Sequence, residues 1–208
     1  MVDTTINFAA MREYNLPVNE GIHQWILDCA YTDWQANKGW RYDDMLENCE
    51  KKFGTFARFL VQLGKFNQQV CNGGLYQYWD NGYASARSGG CFSHHDNDEL
   101  HDWLVYHAAQ YLPVMNLKHG EQLLELFNKI YFDVDEEQYT VEEVYCEDED
   151  EYYNEEVPNE NYGQPCTYMF DKYESAYYDM NEELMEEVES YLNILIMEQK
   201  EVDKESQL

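Results

Sequence analysis

The sequence predicts a mainly α fold, a compact multi-helix single domain with an acidic loop or a small irregular or β insertion near residues 133–166. Three observations support that class. Apolar residues recur every three or four positions over long stretches, which is the period of one helix face and not of a strand. An Asn72-Gly73-Gly74 break interrupts the longest stretch cleanly. With 208 residues and 16% aromatic content, the chain is large and apolar enough to bury a substantial core.

The elements follow in order. Residues 1–18 show little periodicity and read as an N-terminal arm ending near Pro17, followed by a helical domain over 19–198 and a charged tail over 199–208. Asn19 is placed to cap a helix in which Ile22, Trp25, Ile26 and Cys29 share a face, ending near Trp34. Lys38-Gly39 reads as a turn, and a short helix with Met45, Leu46 and Cys49 precedes Gly54.

Phe56, Phe59, Leu60, Leu63, Phe66 and Val70 then mark one stripe of a helix that must be buried. At Asn72-Gly73-Gly74 the glycines open backbone angles closed to other residues, and Asn72 suits an N-cap. The chain is expected to turn there and restart in the aromatic run Leu75, Tyr76, Tyr78 and Trp79, with valine at Gly73 or Gly74 unfolding the protein. Amides at Asn67, Gln68, Gln69 and Gln77 need hydrogen-bond partners wherever they are buried.

Ala84 to His95 reads as a loop, and Asp96 with Glu99 has the form of a capping box. It opens a helix with Leu100, Trp103, Leu104, His107 and Tyr111 on one side, closed by Pro113. Asn116 is placed to cap the next helix, through Leu123, Phe127 and Tyr131, and the short connection makes the two an antiparallel pair. Tyr139 to Tyr145 reads equally as helix or strand, and Pro158, Gly163 and Pro165 close that region as a loop. Tyr173, Tyr177, Met180, Leu184, Val188, Tyr191 and Leu195 describe a last core-facing stripe with a break near Asn181, fraying after Gln199.

Charge is the outlying property. The chain holds 42 Asp and Glu against 13 Lys and Arg, a net charge of -29. Of these, 26 acidic and only 3 basic residues fall after Phe132. Such self-repulsion destabilises a compact state and exceeds what solubility requires, so the expected partner is a basic protein. Direct nucleic-acid binding is disfavoured because the same field repels phosphates.

The candidate partner-binding residues lie in two groups. Asp133, Asp135, Glu136, Glu137, Glu142, Glu143, Glu147, Asp148, Glu149, Asp150, Glu151, Glu155 and Glu156 belong to the insertion. Asp179, Glu182, Glu183, Glu186 and Glu187 line the polar side of the last helix, where they repel at i,i+4 spacing with no lysine placed to relieve them. Exchanging Glu182, Glu183, Glu186 and Glu187 for glutamine is therefore expected to stabilise the fold slightly. The bland alternative is a solvated acidic linker and a helix start enriched in acids.

The run Asn67-Gln68-Gln69-Val70-Cys71-Asn72-Gly73-Gly74-Leu75-Tyr76-Gln77-Tyr78, followed by Asn81-Gly82, resembles the signature of the bacterial family named for DNA mimic protein nineteen. A second block, Phe170-Asp171-Lys172-Tyr173 through Tyr177-Tyr178 to Tyr191-Leu192, is similar to that family's acidic-aromatic helix and closing helix. The acidic stretch between Phe132 and Cys166 departs from the pattern. The resemblance implies a mostly helical, dimeric protein whose carboxylates copy the charge of duplex DNA and occupy a DNA-binding protein's site. The target is either a transcription repressor or a defence nuclease such as a restriction or CRISPR effector.

Two other classes compete with that reading. One is an acidic assembly partner of a basic protein without DNA mimicry, in which charge number and not arrangement sets affinity. The other is an enzyme centred on Asn72 to Gln77. No catalytic residue, metal or cofactor is assigned. Cys91, His94, His95 and Asp96 lack zinc-site spacing, and Asp133, Asp135 and Glu137 lack the glycine and distal Glu of a calcium loop. Cys71 is expected to be a core thiol. The six cysteines form no CxxC pair, no membrane span is expected, and MVDTTINFAAMREYN lacks a signal pattern, so a cytoplasmic location with free thiols is expected.

Overall fold

The computed structural model describes residues 2–81, 103–132, 139–146, 151–158 and 170–205. Among these residues the chain is mainly helical: α1 (Phe8–Arg12), α2 (Ile22–Ala36), α3 (Tyr42–Phe53), α4 (Thr55–Asp80), α5 (Trp103–Met115) and α6 (Gly120–Phe132) come first. A two-stranded antiparallel hairpin follows, β1 (Tyr139–Cys146) and β2 (Glu151–Pro158), then α7 (Phe170–Tyr178) and α8 (Asn181–Glu205).

The central helix α4 is buried more completely than a single stripe requires. Every residue from Phe56 to Phe66 is buried, because α2, α3, α5 and α7 all pack against this helix. Polar side chains caught inside find partners. Arg58 Nη1 lies 2.6 Å from Glu50 Oε2, His107 Nδ1 lies 3.1 Å from Gln62 Oε1, and His23 Nε2 lies 2.8 Å from the Leu60 carbonyl. Phe66 forms the hub of the aromatic packing. The rings of Tyr78, Phe127 and Tyr177 each meet it edge-on at 5.0 Å, joining both parts of α4 to α6 and α7.

The break in α4 falls at the two glycines, as the sequence predicts. Its conformational demand is confined to Gly74, whose φ of +81° is left-handed, whereas Gly73 at −162° is extended backbone open to any residue. Tyr177 Oη donates to Asn67 Oδ1 at 2.7 Å, and Tyr178 Oη donates to the Val70 carbonyl at 2.8 Å. Two tyrosines thus tie α7 to the end of the helix before it breaks. Cys71 is exposed and not a core thiol; its Sγ donates to Asn67 Oδ1 at 3.5 Å and accepts from Asn181 Nδ2 at 3.1 Å.

Several boundaries differ from the sequence reading for identifiable reasons. Pro113 sits inside α5, which continues to Met115. Asn116 closes α5 instead of opening α6, with φ +52° and its N–H donating to the Leu112 carbonyl at 3.2 Å. Asn tolerates left-handed backbone, which favours it just past a helix end. The arm contributes Ile6, Phe8 and Met11 to the core, and Phe8 stacks on Trp25 at 6.2 Å. Helix α8 runs on to Glu205 instead of fraying after Gln199. The loop expected over Ala84 to His95, the Asp96 capping box, and the loop closed by Gly163 and Pro165 lie outside the described residues.

Valine at Gly74 adds a β-branched side chain at left-handed backbone and strikes the Glu174 carboxyl, so Gly74→Val should cost about 3 kcal/mol or more. At Gly73 an added Cβ meets the Gln77 side chain, first its flexible amide end and then its Cβ at 3.1 Å, so once that amide swings aside Gly73→Ala should cost under about 1 kcal/mol. Urea unfolding midpoints check the order; equal losses would disprove the assignment of the demand to Gly74.

Burial, with the Arg58 charge adding to it, pushes the His107 imidazole down to about 4 from 6.5. His23 is held below its usual range by burial as well. At His107, an unfolded chain takes up the proton between pH 6.5 and 4 while the folded protein does not. This contribution to stability is complete above pH 6.5 and is lost as pH falls through that window, by up to about 1.4 kcal/mol per pH unit. His107→Gln should flatten the acid limb of a stability–pH curve measured by urea midpoints, and an unchanged slope would assign the proton elsewhere.

Candidate functional site

Position around α8 sorts the acidic side chains of the C-terminal region into two sets. At about 100° per residue, Leu184, Val188 and Leu192 fall on one stripe, and all three are fully buried. Glu187 and Glu189 stand on opposite shoulders of that stripe and are half-buried. Glu182 and Glu186 point away from it and are exposed, as is Asp179 in the turn before the helix.

The shoulder residues close other helices. Glu189 accepts the backbone N–H of Ile22 at 2.7 Å and of His23 at 2.9 Å, the first donors of α2. Gly21, just before them, has φ +102°, and a Cβ there would stand 2.8 Å from the Glu189 carboxyl. Glu187 accepts the N–H of His119 at 3.1 Å and lies 2.7 Å from His119 Nδ1, at the head of α6. Glu174 of α7 accepts the N–H of Leu75 at 2.6 Å, where α4 restarts. A helix start has unsatisfied N–H groups and the positive end of its dipole, so a carboxylate there is doubly favourable.

These acceptors fill the role that the sequence assigns to Asn19, Asn72 and Asn116. Glu174 and Glu189 were not among the candidate residues, and local spacing carries no signal for a cap that arrives from about a hundred residues away or more. Glu183 is also engaged. Lys118 Nζ lies 3.0 Å from its Oε2 and holds the carboxyl below its ordinary value, so a lysine from the α5–α6 connection does relieve the row.

The hairpin carries the second group of candidates. Its register places Glu142 directly opposite Glu155, and Glu143 opposite Asn154 and diagonal to Glu156. All four glutamates are exposed, two on each face. Glu142 and Glu155 face one another at the like-charge position that destabilises a strand pair. Glu151 lies in β2, whereas Asp133, Asp135, Glu136, Glu137, Glu147, Asp148, Glu149 and Asp150 lie outside the described residues. The structure thus gathers exposed carboxylates into two patches, one on the outward face at the start of α8 and one on the hairpin.

Among the described residues, no group of three or more His, Cys, Asp or Glu side chains is arranged to hold a metal ion, and no helix is long and apolar enough to cross a membrane. The Cys91, His94, His95 and Asp96 cluster lies outside them. Comparison of the chain with protein-family models, curated proteins and solved structures finds no match. The two patches are therefore weighed on their own chemistry.

Removing a shoulder carboxylate should leave buried helix N–H groups without acceptors. Glu189→Ala is expected to destabilise the fold by about 1–3 kcal/mol and Glu187→Ala by a similar amount. Glu182→Ala and Glu186→Ala should leave the thermal midpoint nearly unchanged or slightly raised. This reverses, for Glu187, the stabilisation expected from the helix row alone. Equal midpoints for all four variants would remove the distinction between the two sets.

Proposed function

We propose that this protein is a non-catalytic, acidic DNA mimic that occupies the DNA-binding site of a basic protein, either a transcription repressor or a defence nuclease. The observation that carries this reading is the set of exposed carboxylates left over once the capping and ion-paired ones are set aside. Asp179, Glu182 and Glu186 sit at the start of a helix anchored by a fully buried stripe, and Glu142, Glu143, Glu155 and Glu156 sit on the hairpin.

Side chains at i and i+4 on a helix are about 5–6 Å apart at Cβ, and phosphates on one DNA strand advance about 3.4 Å each along the axis. Glu182 and Glu186, one turn apart, therefore present fixed negative charges at a spacing comparable with one or two phosphate steps. A positively charged groove is attracted to such a surface from a distance, with affinity falling as salt screens the field. The protein acts by competition, with no bond made or broken. The resemblance of the Asn72-Gly73-Gly74 region to the DNA-mimic family supports the same reading, with the break serving as scaffold.

The exposed tyrosines of the hairpin favour a second reading, an acidic assembly partner that binds a basic protein by aromatic contact without copying DNA. Affinity capture from a lysate of the source cells, with the purified protein as bait and duplex DNA as competitor, separates the two. Mimicry predicts that a basic DNA-binding protein is retained at low salt and released both by high salt and by the duplex. It also predicts that Glu182→Gln with Glu186→Gln weakens retention. A partner that the duplex does not displace would overturn mimicry in favour of the assembly reading.

A further inference from the structure

The residues on the two hairpin faces are distributed unusually. Along β1, Tyr139, Val141, Glu143 and Tyr145 share one face, and the register places Pro158, Glu156, Asn154 and Tyr152 opposite them in turn. All eight are exposed, with Tyr139 at 55%, Val141 at 64% and Tyr152 at 66%. The other face carries Thr140, Val144 and Val157, which are half-buried, beside Glu142, Glu155 and Tyr153. An antiparallel pair with one solvated face ordinarily turns its polar residues outward. Here the open face holds three tyrosines, a valine and a proline.

We propose that this open face receives an extended, arginine-bearing segment of the basic partner, which makes the hairpin the selective part of the interface. The proposal rests on the reading of the protein as an acidic ligand for a basic protein, and deepens it. Four features point to that occupant. No Lys or Arg occurs between Tyr139 and Pro158, so the occupant must supply positive charge. A second copy of the chain would instead set glutamates against glutamates.

The remaining features concern shape. Tyr145 and Tyr152 contact each other at 5.1 Å with planes tilted by 52°, forming an aromatic platform at one end of the face, with Tyr139 at the other. Glu143 and Glu156 lie between them on a diagonal of about 7–8 Å. A guanidinium stacks on a tyrosine ring and pairs bidentately with a carboxylate, which an ammonium cannot do. Successive positions on one face of a strand are about 6.8 Å apart, so an extended chain laid along the hairpin presents alternate side chains in step with this pattern.

The test uses the full chain, labelled with 15N, and two probe peptides, one alternating arginine with valine and one alternating lysine with glycine. The proposal predicts that the arginine–valine peptide shifts the amides of Tyr139, Val141, Glu143, Tyr152 and Glu156 before those at the start of α8. It should also keep measurable affinity at about 0.5 M salt, where the lysine–glycine peptide is released. Tyr139→Thr combined with Val141→Thr and Tyr152→Thr keeps the charge and the strand propensity, and should weaken binding roughly tenfold or more.

Equal binding by that variant, or shifts confined to α8, would overturn the inference while leaving the acidic-ligand reading intact. Failure of the unaltered protein to bind either peptide at low salt would overturn both. Hairpin shifts that track protein concentration without peptide would replace the partner with a second copy and overturn the assignment. Should the threonine variant lose its cross-strand contacts by nuclear Overhauser effect, Glu143→Gln with Glu156→Gln decides instead: weaker binding at low salt supports the proposal, and unchanged binding overturns it.

Discussion

Among the described residues, two helices and the restart of a third begin against a carboxylate carried by the C-terminal segment. Glu189 closes α2, Glu174 closes the second part of α4, and Glu187 closes α6. Each contact joins parts of the chain that are far apart in sequence, so α2, α6 and the second part of α4 depend on α7 and α8 for satisfied N-termini. Charge-assisted bonds of this kind are stronger than neutral ones, and leaving a half-buried N–H without an acceptor is costly. The positions of α2, α4 and α6 follow from that constraint together with the ring packing on Phe66. So does the glycine at position 21, because the Glu189 carboxyl occupies the space of any side chain there.

This arrangement divides the acidic residues between two roles. A net charge of -29 suggests a surface of interchangeable glutamates. In the structure, Glu174, Glu187 and Glu189 are architectural, Glu183 is paired with Lys118, and Asp179, Glu182 and Glu186 are left for solvent or a partner. Any partner at this end of the molecule would therefore meet fewer outward carboxylates than the sequence count implies. The same core stripe that places Glu187 and Glu189 against other helices turns Glu182 and Glu186 away from them, so scaffold and display are set by one helical period.

How much of this was legible in the sequence differs by element. The helical class, the stripes through Phe56–Val70 and Tyr173–Leu195, and the break at Gly73-Gly74 could be read directly, because apolar period and glycine are local signals. The caps could not be read. Asn19 and Asn116 have the right chemistry beside the right helices, yet α2 and α6 take their acceptors from α8, and no local rule reports that a glutamate 167 positions away will arrive. The burial of α4 on every side was hidden for a related reason: Arg58, Gln62 and Lys65 look like an exposed face until α5 and α3 supply partners for Arg58 and Gln62. Of the candidate partner residues, the outward glutamates of α8 follow from the helical period. The hairpin could not be separated from helix at Tyr139 to Tyr145, since alternation there is too short to exclude either.

The hairpin differs in kind from the rest of the molecule. A two-stranded sheet is marginally stable unless something covers it, and this one adds a like-charge pair at Glu142 and Glu155 and an open face of tyrosines. Within the fold these features work against stability, because repulsion between facing glutamates and exposed aromatic area are both unfavourable in water. Against the cationic segment proposed above, the aromatic term changes sign. On the proposed reading, a guanidinium on the open face pairs with Glu143 and Glu156 and takes the rings out of water, whereas Glu142 and Glu155 face the other way and keep their repulsion. Helix α8 has no such term, because its awkward charges are already satisfied internally or turned to solvent. On the proposed reading, the open face of the hairpin is therefore where association gains most.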